Sequence, residues 1–152
     1  MMSNTKSQFY KAKSLETHQW VEGYLFETKD NSYIAYAGQF DDDLFLSPQN
    51  IFIPVDSETV CQPTDVFDKS GKELYTNDVI SGLFHGRMPI NGIVQFQNGS
   101  FGLQWHRETD FDMIEEFTPF SSMCNVELEV LGNKFDNPEL LEQKFLQPTL
   151  SR

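Results

Sequence analysis

Cysteine is scarce in this sequence, and so is positive charge. Cys61 and Cys124 provide neither a disulfide framework nor a metal-ligand spacing, so both are interpreted as reduced, inert core thiols of a cytoplasmic protein. The 11 Lys and Arg are outnumbered by 23 Asp and Glu, which gives a net charge of −12. Phosphate-backbone binding needs clustered Lys and Arg, so nucleic acid is not the expected partner.

Long apolar runs and catalytic motifs are absent as well. No stretch of about eighteen apolar residues predicts a membrane span, and the N-terminal residues lack the apolar core of a signal peptide. His18, His85 and His106 are scattered, with no acid or nucleophile at the spacing of a known enzyme family. We therefore predict no catalytic residues and no cofactor. An enzyme without a recognisable motif stays open as an alternative, because triad members can be far apart in sequence.

Two short motifs suggest ligands, and each has a simpler interpretation. Asp41-Asp42-Asp43 offers carboxylates to a hard cation, but the Gly and Glu of a calcium-binding loop are missing at their positions. Ser70-Gly71-Lys72 has part of a phosphate-binding loop but lacks its upstream Gly and the Ser or Thr after Lys. We interpret the first as a solvated loop and the second as a turn, and predict no metal site.

Aromatic residues and turn signals are what the sequence has in abundance, with 14 Phe, 5 Tyr and 2 Trp. Asn98-Gly99 is the strongest signal, because this pair favours a two-residue hairpin turn in which both residues have positive φ. The hairpin places four apolar side chains on one face, over a core: Val94, Phe96, Phe101 and Leu103.

Alternating patterns predict further strands, at 20–27, 32–37, 51–53, 79–84 and 126–131. A helical turn is expected at 56–60, and a loop at 85–91. Residues 111–120 fit a helix face or an irregular segment that Thr118-Pro119 ends. Asn137 is a helix N-cap candidate followed by Pro138, so a short C-terminal helix is predicted up to Pro148.

Several phrases together resemble the YopX-like proteins of phages and prophages. The central phrases are DKSGKELYTNDVI and GIVQFQNGSFGL; WVEGYLFE and VDSETVCQPT precede them, and LEVLGNKFDNPELLE follows. They occur in the family's order and span residues 9–146. The chain departs from the family at Asn77 and Asp65, where Gly is usual, and at Pro63, where Tyr is usual. Because Asp tolerates positive φ less well than Asn, the turn at Asp65 is expected to be rebuilt.

The predicted fold is mainly β, a small antiparallel and partly open barrel with a short C-terminal helix. The resemblance implies that this barrel is SH3-like. We divide the chain into a disordered arm at 1–8, an N-terminal β-rich lobe at 9–60, the YopX-like barrel module with its helix at 61–146, and a tail at 147–152.

The resemblance implies a phage or prophage accessory protein whose function is uncharacterised. We expect a non-enzymatic protein-binding or regulatory module; a nucleic-acid-binding small barrel is the alternative, by analogy of fold only. The strand at 20–27 is apolar on both faces, which predicts a cover from the other lobe or from a second subunit in a homo-oligomer. The alternative is that residues 44–60 fold back and cover the edge of the sheet within one chain. The candidate interaction surface comprises Trp20, Tyr24, Phe26, Lys69, Lys72, Arg87 and Trp105.

Overall fold

A computed structural model of the chain describes residues 9–36, 52–84, 88–108, 113–123 and 127–141. The chain divides into two compact units, residues 1–63 and residues 64–152. Both are built of antiparallel strands, and no sheet of the described ranges closes into a barrel. The predicted mainly β, partly open fold is confirmed.

The first unit is a four-stranded antiparallel sheet in the order β1-β2-β3-β4. Its strands are β1 (Tyr10–Lys13), β2 (Trp20–Glu27), β3 (Ser32–Tyr36) and β4 (Phe52–Val55). A 3-10 turn follows at Ser57–Thr59, where the helical turn was predicted. The alternating patterns predicted β2, β3 and β4, whereas β1 was not predicted.

One side of this sheet holds a small core of Ala12, Ile34 and Val55, all buried. The ends of the sheet approach each other at one corner, where Leu15 N donates to Pro54 O at 3.0 Å and Asp56 N to Lys13 O at 2.9 Å. Cys61 continues this corner by exchanging two backbone hydrogen bonds with Lys11. The Cys61 side chain is buried and its Sγ lies 3.2 Å from Thr59 O, so the predicted core thiol is confirmed.

The second unit contains a two-stranded and a five-stranded antiparallel sheet. A hairpin of β5 (Pro63–Phe67) and β6 (Glu73–Tyr75) precedes the larger sheet, whose order is β10-β9-β8-β7-β11. The five strands are β7 (Asp78–Phe84), β8 (Met88–Gln97), β9 (Ser100–Glu108), β10 (Met113–Pro119) and β11 (Glu127–Asn133). Their core cluster consists of Leu74, Ile80, Val94, Leu103 and Leu128.

The central hairpin has the predicted register, with Val94 opposite Leu103 and Phe96 opposite Phe101. Asn98 and Gly99 have φ of 51° and 82°, as the predicted turn requires. Val94 and Leu103 are fully buried, but Phe96 is 51% exposed, so the expectation that Phe96 lies in the core is wrong. The alternating pattern assigns side chains to a face, and the core covers only the part of this face away from the turn.

Two segments differ from the sequence-based prediction. Strand β8 begins at Met88, so the predicted loop at 85–91 is shorter than expected. Residues 113–119 form strand β10 beside β9, so the helical alternative for 111–120 is wrong. The backbone N–H and C=O groups of this segment form their hydrogen bonds with β9. The spacing of apolar residues within the segment alone could not predict that pairing.

The C-terminal helix begins at residue 139 and is described as far as residue 141. Asn137 precedes it, as predicted, and Leu140 N donates to Asn137 O at 3.0 Å. The Asn137 Oδ1 atom accepts from Asn133 N at 3.2 Å, so this side chain holds the turn before the helix. The residues predicted to complete the helix, and Pro148, lie outside the described ranges.

Both positions at which glycine is usual in the family are left-handed. Asp65 has φ of 66° and Asn77 has φ of 76°. The expectation that the turn at Asp65 is rebuilt is therefore wrong. The backbone keeps the left-handed conformation, and Asp65 N donates to Glu73 Oε2 at 2.9 Å.

Asp68 joins the 68–72 turn to strand β11. Its Oδ1 accepts from Ser70 Oγ at 2.7 Å and from the backbone N–H groups of Ser70 and Lys72 at 2.9 Å; its Oδ2 accepts from Val130 N at 3.3 Å. The hydrogen bond from the Ser70 side chain is the main cause that lowers the pKa of Asp68 from 3.8 to about 2, with the three backbone donors adding to it against burial. This carboxylate stabilises the fold.

Candidate interaction surface

The side of the first sheet that faces away from its core carries an aromatic surface. Side chains alternate between the two sides of a strand, so Trp20, Glu22, Tyr24 and Phe26 all lie opposite the core residues Val21 and Leu25. Register pairs extend this side across the sheet, from Lys11 and Lys13 on β1 to Tyr33 on β3 and Phe52 on β4. Trp20, Tyr24 and Phe26, which were predicted to share one face, do so.

Trp20 occupies a basic corner of this surface. The Nζ atoms of Lys11 and Lys13 each lie 5.4 Å from the centroid of a Trp20 ring, within the range of cation–π attraction. The strand register explains the arrangement, because Lys13 lies opposite Trp20 and Lys11 lies opposite Glu22. The two ammonium groups therefore lie beside Trp20 at one end of the aromatic face, with the Glu22 carboxylate on the same side.

The remaining rings lie on β2, β3 and β4, together with Phe9, which immediately precedes β1. Phe9 and Tyr24 meet edge to face with centroids 5.1 Å apart, and Phe26 lies 5.7 Å from Phe52 and 6.4 Å from Tyr33. Such pairs are favourable because the positive edge of one ring meets the negative face of another. We call these five rings the aromatic cluster.

The aromatic cluster is largely open to solvent. Tyr24 is 58% exposed, Phe26 52% and Phe52 40%. Single exposed apolar residues are ordinary, but a contiguous set of aromatic side chains on one sheet face is typical of a binding surface. Strand β4 pairs with β3 and covers its edge, as the alternative of residues 44–60 folding back within one chain predicts. This pairing leaves the aromatic side of β2 exposed.

The other predicted site residues belong to the second unit, apart from Arg87, which lies outside the described residues. Lys69 and Lys72 are exposed on the 68–72 turn, and Lys69 Nζ lies 3.9 Å from Glu129 Oε1. Trp105 is half-buried against the core cluster of the larger sheet, and its Nε1 donates to Thr118 Oγ1 at 3.0 Å. These contacts give Trp105 a packing role within its own sheet.

No group of three His, Cys, Asp or Glu among the described residues is placed to hold a metal ion. The Asp41-Asp42-Asp43 cluster, which the sequence left open as a cation site, lies outside the described residues. Within the described part of the chain, no helix has both the length and the apolar character needed to cross a membrane.

Five residues of the surface were not identified from sequence: Phe9, Lys11, Lys13, Tyr33 and Phe52. A signal was present for the first three, since Phe9, Lys11 and Lys13 alternate with Tyr10 and Ala12, which pack on the core. Strand β1 is only four residues long and half of it is lysine, so the pattern is weak. Tyr33 and Phe52 lie on predicted strands, but their outward orientation depends on the register.

These features define a mainly β protein with a solvent-facing aromatic sheet surface in its first unit. The chain belongs to the YopX family, because the family model described as YopX protein matches residues 2–142. The match spans both units. None of the curated proteins compared with the chain matches it.

Proposed function

We propose that this YopX-family chain is a non-enzymatic accessory protein of phage or prophage origin that binds another protein in the host cytoplasm. The surface assigned to that role is the aromatic cluster with the Trp20 corner. The observation that carries the proposal is the exposure of Tyr24 and Phe26 side by side on one sheet face.

The geometry of the rings supports a protein partner. Edge-to-face and tilted pairs, with interplanar angles of 89° and 55°, leave an uneven apolar relief that suits side chains inserting between rings. Aromatic residues are also the side chains enriched at the centres of protein interfaces, because they bury large apolar areas at low entropic cost.

The test is a capture experiment from host lysate with the tagged full chain, followed by purification of each captured protein and measurement of its affinity. The variant Tyr24→Ser/Phe26→Ser is expected to lose at least tenfold in affinity. Phe67→Ser is the matched control, because Phe67 is as exposed as Phe26, at 52%, but belongs to the second unit. Equal affinity of all three proteins would remove the aromatic cluster from the proposal.

Nucleic acid is the second candidate, and the Trp20 corner is what favours it. Lys11 and Lys13 beside an indole combine positive charge with a stacking ring, which is how single strands are bound. The net charge of −12 opposes it. Nuclease treatment of the lysate separates the two, since a complex bridged by nucleic acid is lost and a direct protein complex remains.

A further inference from the structure

We infer that the outer edge of strand β10 is a second binding site, which takes up an extended, basic segment of a partner protein as an added strand. The site belongs to the second unit, whereas the aromatic cluster belongs to the first. Three observations support it: the direction of the β10 backbone groups, the capping of the opposite edge of the same sheet, and the acidic centre of β10.

The turn between β8 and β9 determines which backbone groups of β9 point towards β10. In a two-residue turn the flanking residues, Gln97 and Ser100, exchange backbone hydrogen bonds. Bonded and non-bonded pairs then alternate along an antiparallel ladder. Leu103 and Trp105 are therefore non-bonded towards β8, and their N–H and C=O groups point towards β10.

The same alternation continues in β10. Thr118 and Glu116 lie opposite Leu103 and Trp105, so their backbone groups bond to β9. Those of Glu115 and Phe117, between and beside them, point out of the sheet. Among the described residues no other strand pairs with this edge, and no backbone hydrogen bond reaches it.

The opposite edge of the sheet, strand β11, is capped. Lys69 N donates to Leu128 O at 3.0 Å, and Val130 N donates to the Asp68 carboxylate at 3.3 Å. The register of β11 also shifts between Val130 and Gly132, which makes this edge irregular. Caps and bulges of this kind prevent a further strand from adding.

Strand β10 has neither device along its length. Its seven residues pair with β9 in one uninterrupted register, and only Pro119, at the end, lacks a backbone donor. A regular open edge is the feature that takes up an extended peptide, because the peptide backbone supplies the missing hydrogen-bond partners. Met113, Glu115 and Phe117 offer donors and acceptors for about six such bonds.

The residues of β10 favour a basic strand over a second copy of this chain. Antiparallel pairing of two β10 edges about a two-fold axis has two central registers, which place Glu115 or Glu116 opposite the same residue of the other copy. Like charges directly opposite each other destabilise a strand pair, and opposite charges stabilise it. The net charge of −12 likewise repels a second copy and attracts a basic partner. A β-branched residue is the favourable neighbour for Phe117.

The experiment is fluorescence anisotropy of the purified full chain with short labelled peptides. The basic peptide has a central Lys-Lys pair flanked on each side by Val and Thr. The acidic peptide has Glu-Glu at the centre, and the third peptide is the basic one N-methylated at both lysines, which blocks both edges of the peptide strand without changing its charge. The basic peptide is expected to bind at least about tenfold more tightly than either control. Added salt should reduce the difference from the acidic peptide and preserve the difference from the N-methylated one.

Two variants at one position test the edge from the side of the protein. Glu115→Pro removes an N–H that points outward and keeps the ladder with β9, as proline on an edge strand does. Glu115→Gln is the matched control, because it removes the same carboxylate and keeps the N–H. We expect Glu115→Pro to weaken binding of the basic peptide at least about tenfold and Glu115→Gln about threefold or less. Circular dichroism checks that both variants fold; if the proline variant does not, the N-methylated peptide decides.

Three outcomes would overturn the inference. Equal affinity for the basic peptide and its N-methylated form would exclude backbone pairing. Loss of binding in Tyr24→Ser/Phe26→Ser, which is expected to bind as wild type, would place the peptide on the aromatic cluster. A dimer in sedimentation equilibrium that Glu115→Pro dissociates and Glu115→Gln does not would assign the edge to a second copy. The proposed function is tested separately, by the affinity of captured proteins for the Tyr24→Ser/Phe26→Ser variant.

Discussion

At the scale of single residues, two positions with left-handed backbone conformation are occupied by residues other than glycine. Asp65 and Asn77 hold φ of 66° and 76° without the glycine that is usual there in the family. Left-handed backbone costs roughly 1–2 kcal/mol for a residue with a Cβ, and less for Asn and Asp. The sequence identified these two positions. It could not indicate whether the backbone there would adopt another conformation or would stay left-handed despite the free-energy cost.

We predict a rank order of stability at Asn77. Asn77→Gly is expected to lie within about 1 kcal/mol of wild type, since relief of the left-handed cost is offset by greater freedom of the unfolded chain. Asn77→Ala should be less stable by about 1 kcal/mol, and Asn77→Val by more, because β-branched residues fit this region worst. Urea denaturation of the three variants measures the order, and an alanine variant at least as stable as the glycine variant would contradict it.

Asp68 provides a second residue-scale prediction, concerning pH. Its pKa is about 2 in the folded protein against 3.8 as the ordinary value, so between these values the unfolded chain binds more protons. The contribution of Asp68 is therefore present above about pH 5 and is lost as the pH falls towards 2. Ser70→Ala removes the main cause of the lowered pKa, so the folded-state pKa of Asp68 should rise towards 3.8. The loss should then be smaller and should be complete at a higher pH.

The measurement is the urea midpoint as a function of pH for wild type and variants. Asp68→Asn should lower stability by roughly 2–3 kcal/mol at neutral pH, the range for hydrogen bonds to a charged group. The difference between Asp68→Asn and wild type should shrink as the pH falls from 5 to about 2. Glu127→Gln, an exposed carboxylate on β11, is the control for removing one negative charge. A difference that does not change with pH would rule out this role of Asp68.

At the scale of elements, alternation and turn chemistry predicted most of the long strands. The hairpin of β8 and β9 was predicted with its register because Asn98-Gly99 fixes the turn. The short strands β1, β5 and β6 were missed, since three to five residues carry too little pattern. Strand β10 was ambiguous, because its apolar spacing fits a helix as well and only its partner β9 decides.

The β8–β9 hairpin allows a paired test of burial on one sheet face. Leu103 is fully buried, so Leu103→Ala is expected to destabilise by about 2–5 kcal/mol. Phe96 is 51% exposed and contributes mainly its ring contact with Phe101, with centroids 4.8 Å apart, so Phe96→Ala should cost no more than about 1.5 kcal/mol. Guanidinium denaturation gives both values, and a larger loss for Phe96→Ala would show that its ring is buried in solution.

The candidate surface, like strand β10, could be predicted from the sequence only in part. The pattern in 20–27 placed Trp20, Tyr24 and Phe26 on one face, as the structure has them. It could not indicate which neighbouring strands add rings and lysines to that face, because strand order and register depend on contacts distant in sequence. Trp105, which packs against a core, and Phe96, which is exposed, illustrate the same point. The presence of an aromatic residue in a strand does not show whether its side chain is buried.

At the scale of the whole molecule, net charge governs what the protein meets. With −12 at neutral pH, we predict no duplex DNA binding tighter than about 1 μM at physiological salt, the tight end of the nonspecific range. Fluorescence anisotropy with a labelled duplex and a labelled single strand measures this. The Lys11→Gln/Lys13→Gln variant tests whether any residual single-strand binding comes from the Trp20 corner. Sub-micromolar duplex affinity with a steep salt dependence would contradict the prediction.

The corner at which the first sheet approaches itself has a consequence for synthesis on the ribosome. Strand β1 and Leu15 leave the ribosome before β4, yet their backbone bonds to Pro54, Asp56 and Cys61, and Lys13 N donates to Thr59 Oγ1 across 46 residues. The first unit therefore cannot complete its hydrogen bonding until residue 61 has left the exit tunnel, although domains generally fold as they emerge. A nascent chain stalled before β4 has emerged can pair β1, β2 and β3, but it lacks Val55, so the core of the first unit beside Ala12 and Ile34 is incomplete. In that interval the growing chain is most exposed to chaperones and proteases.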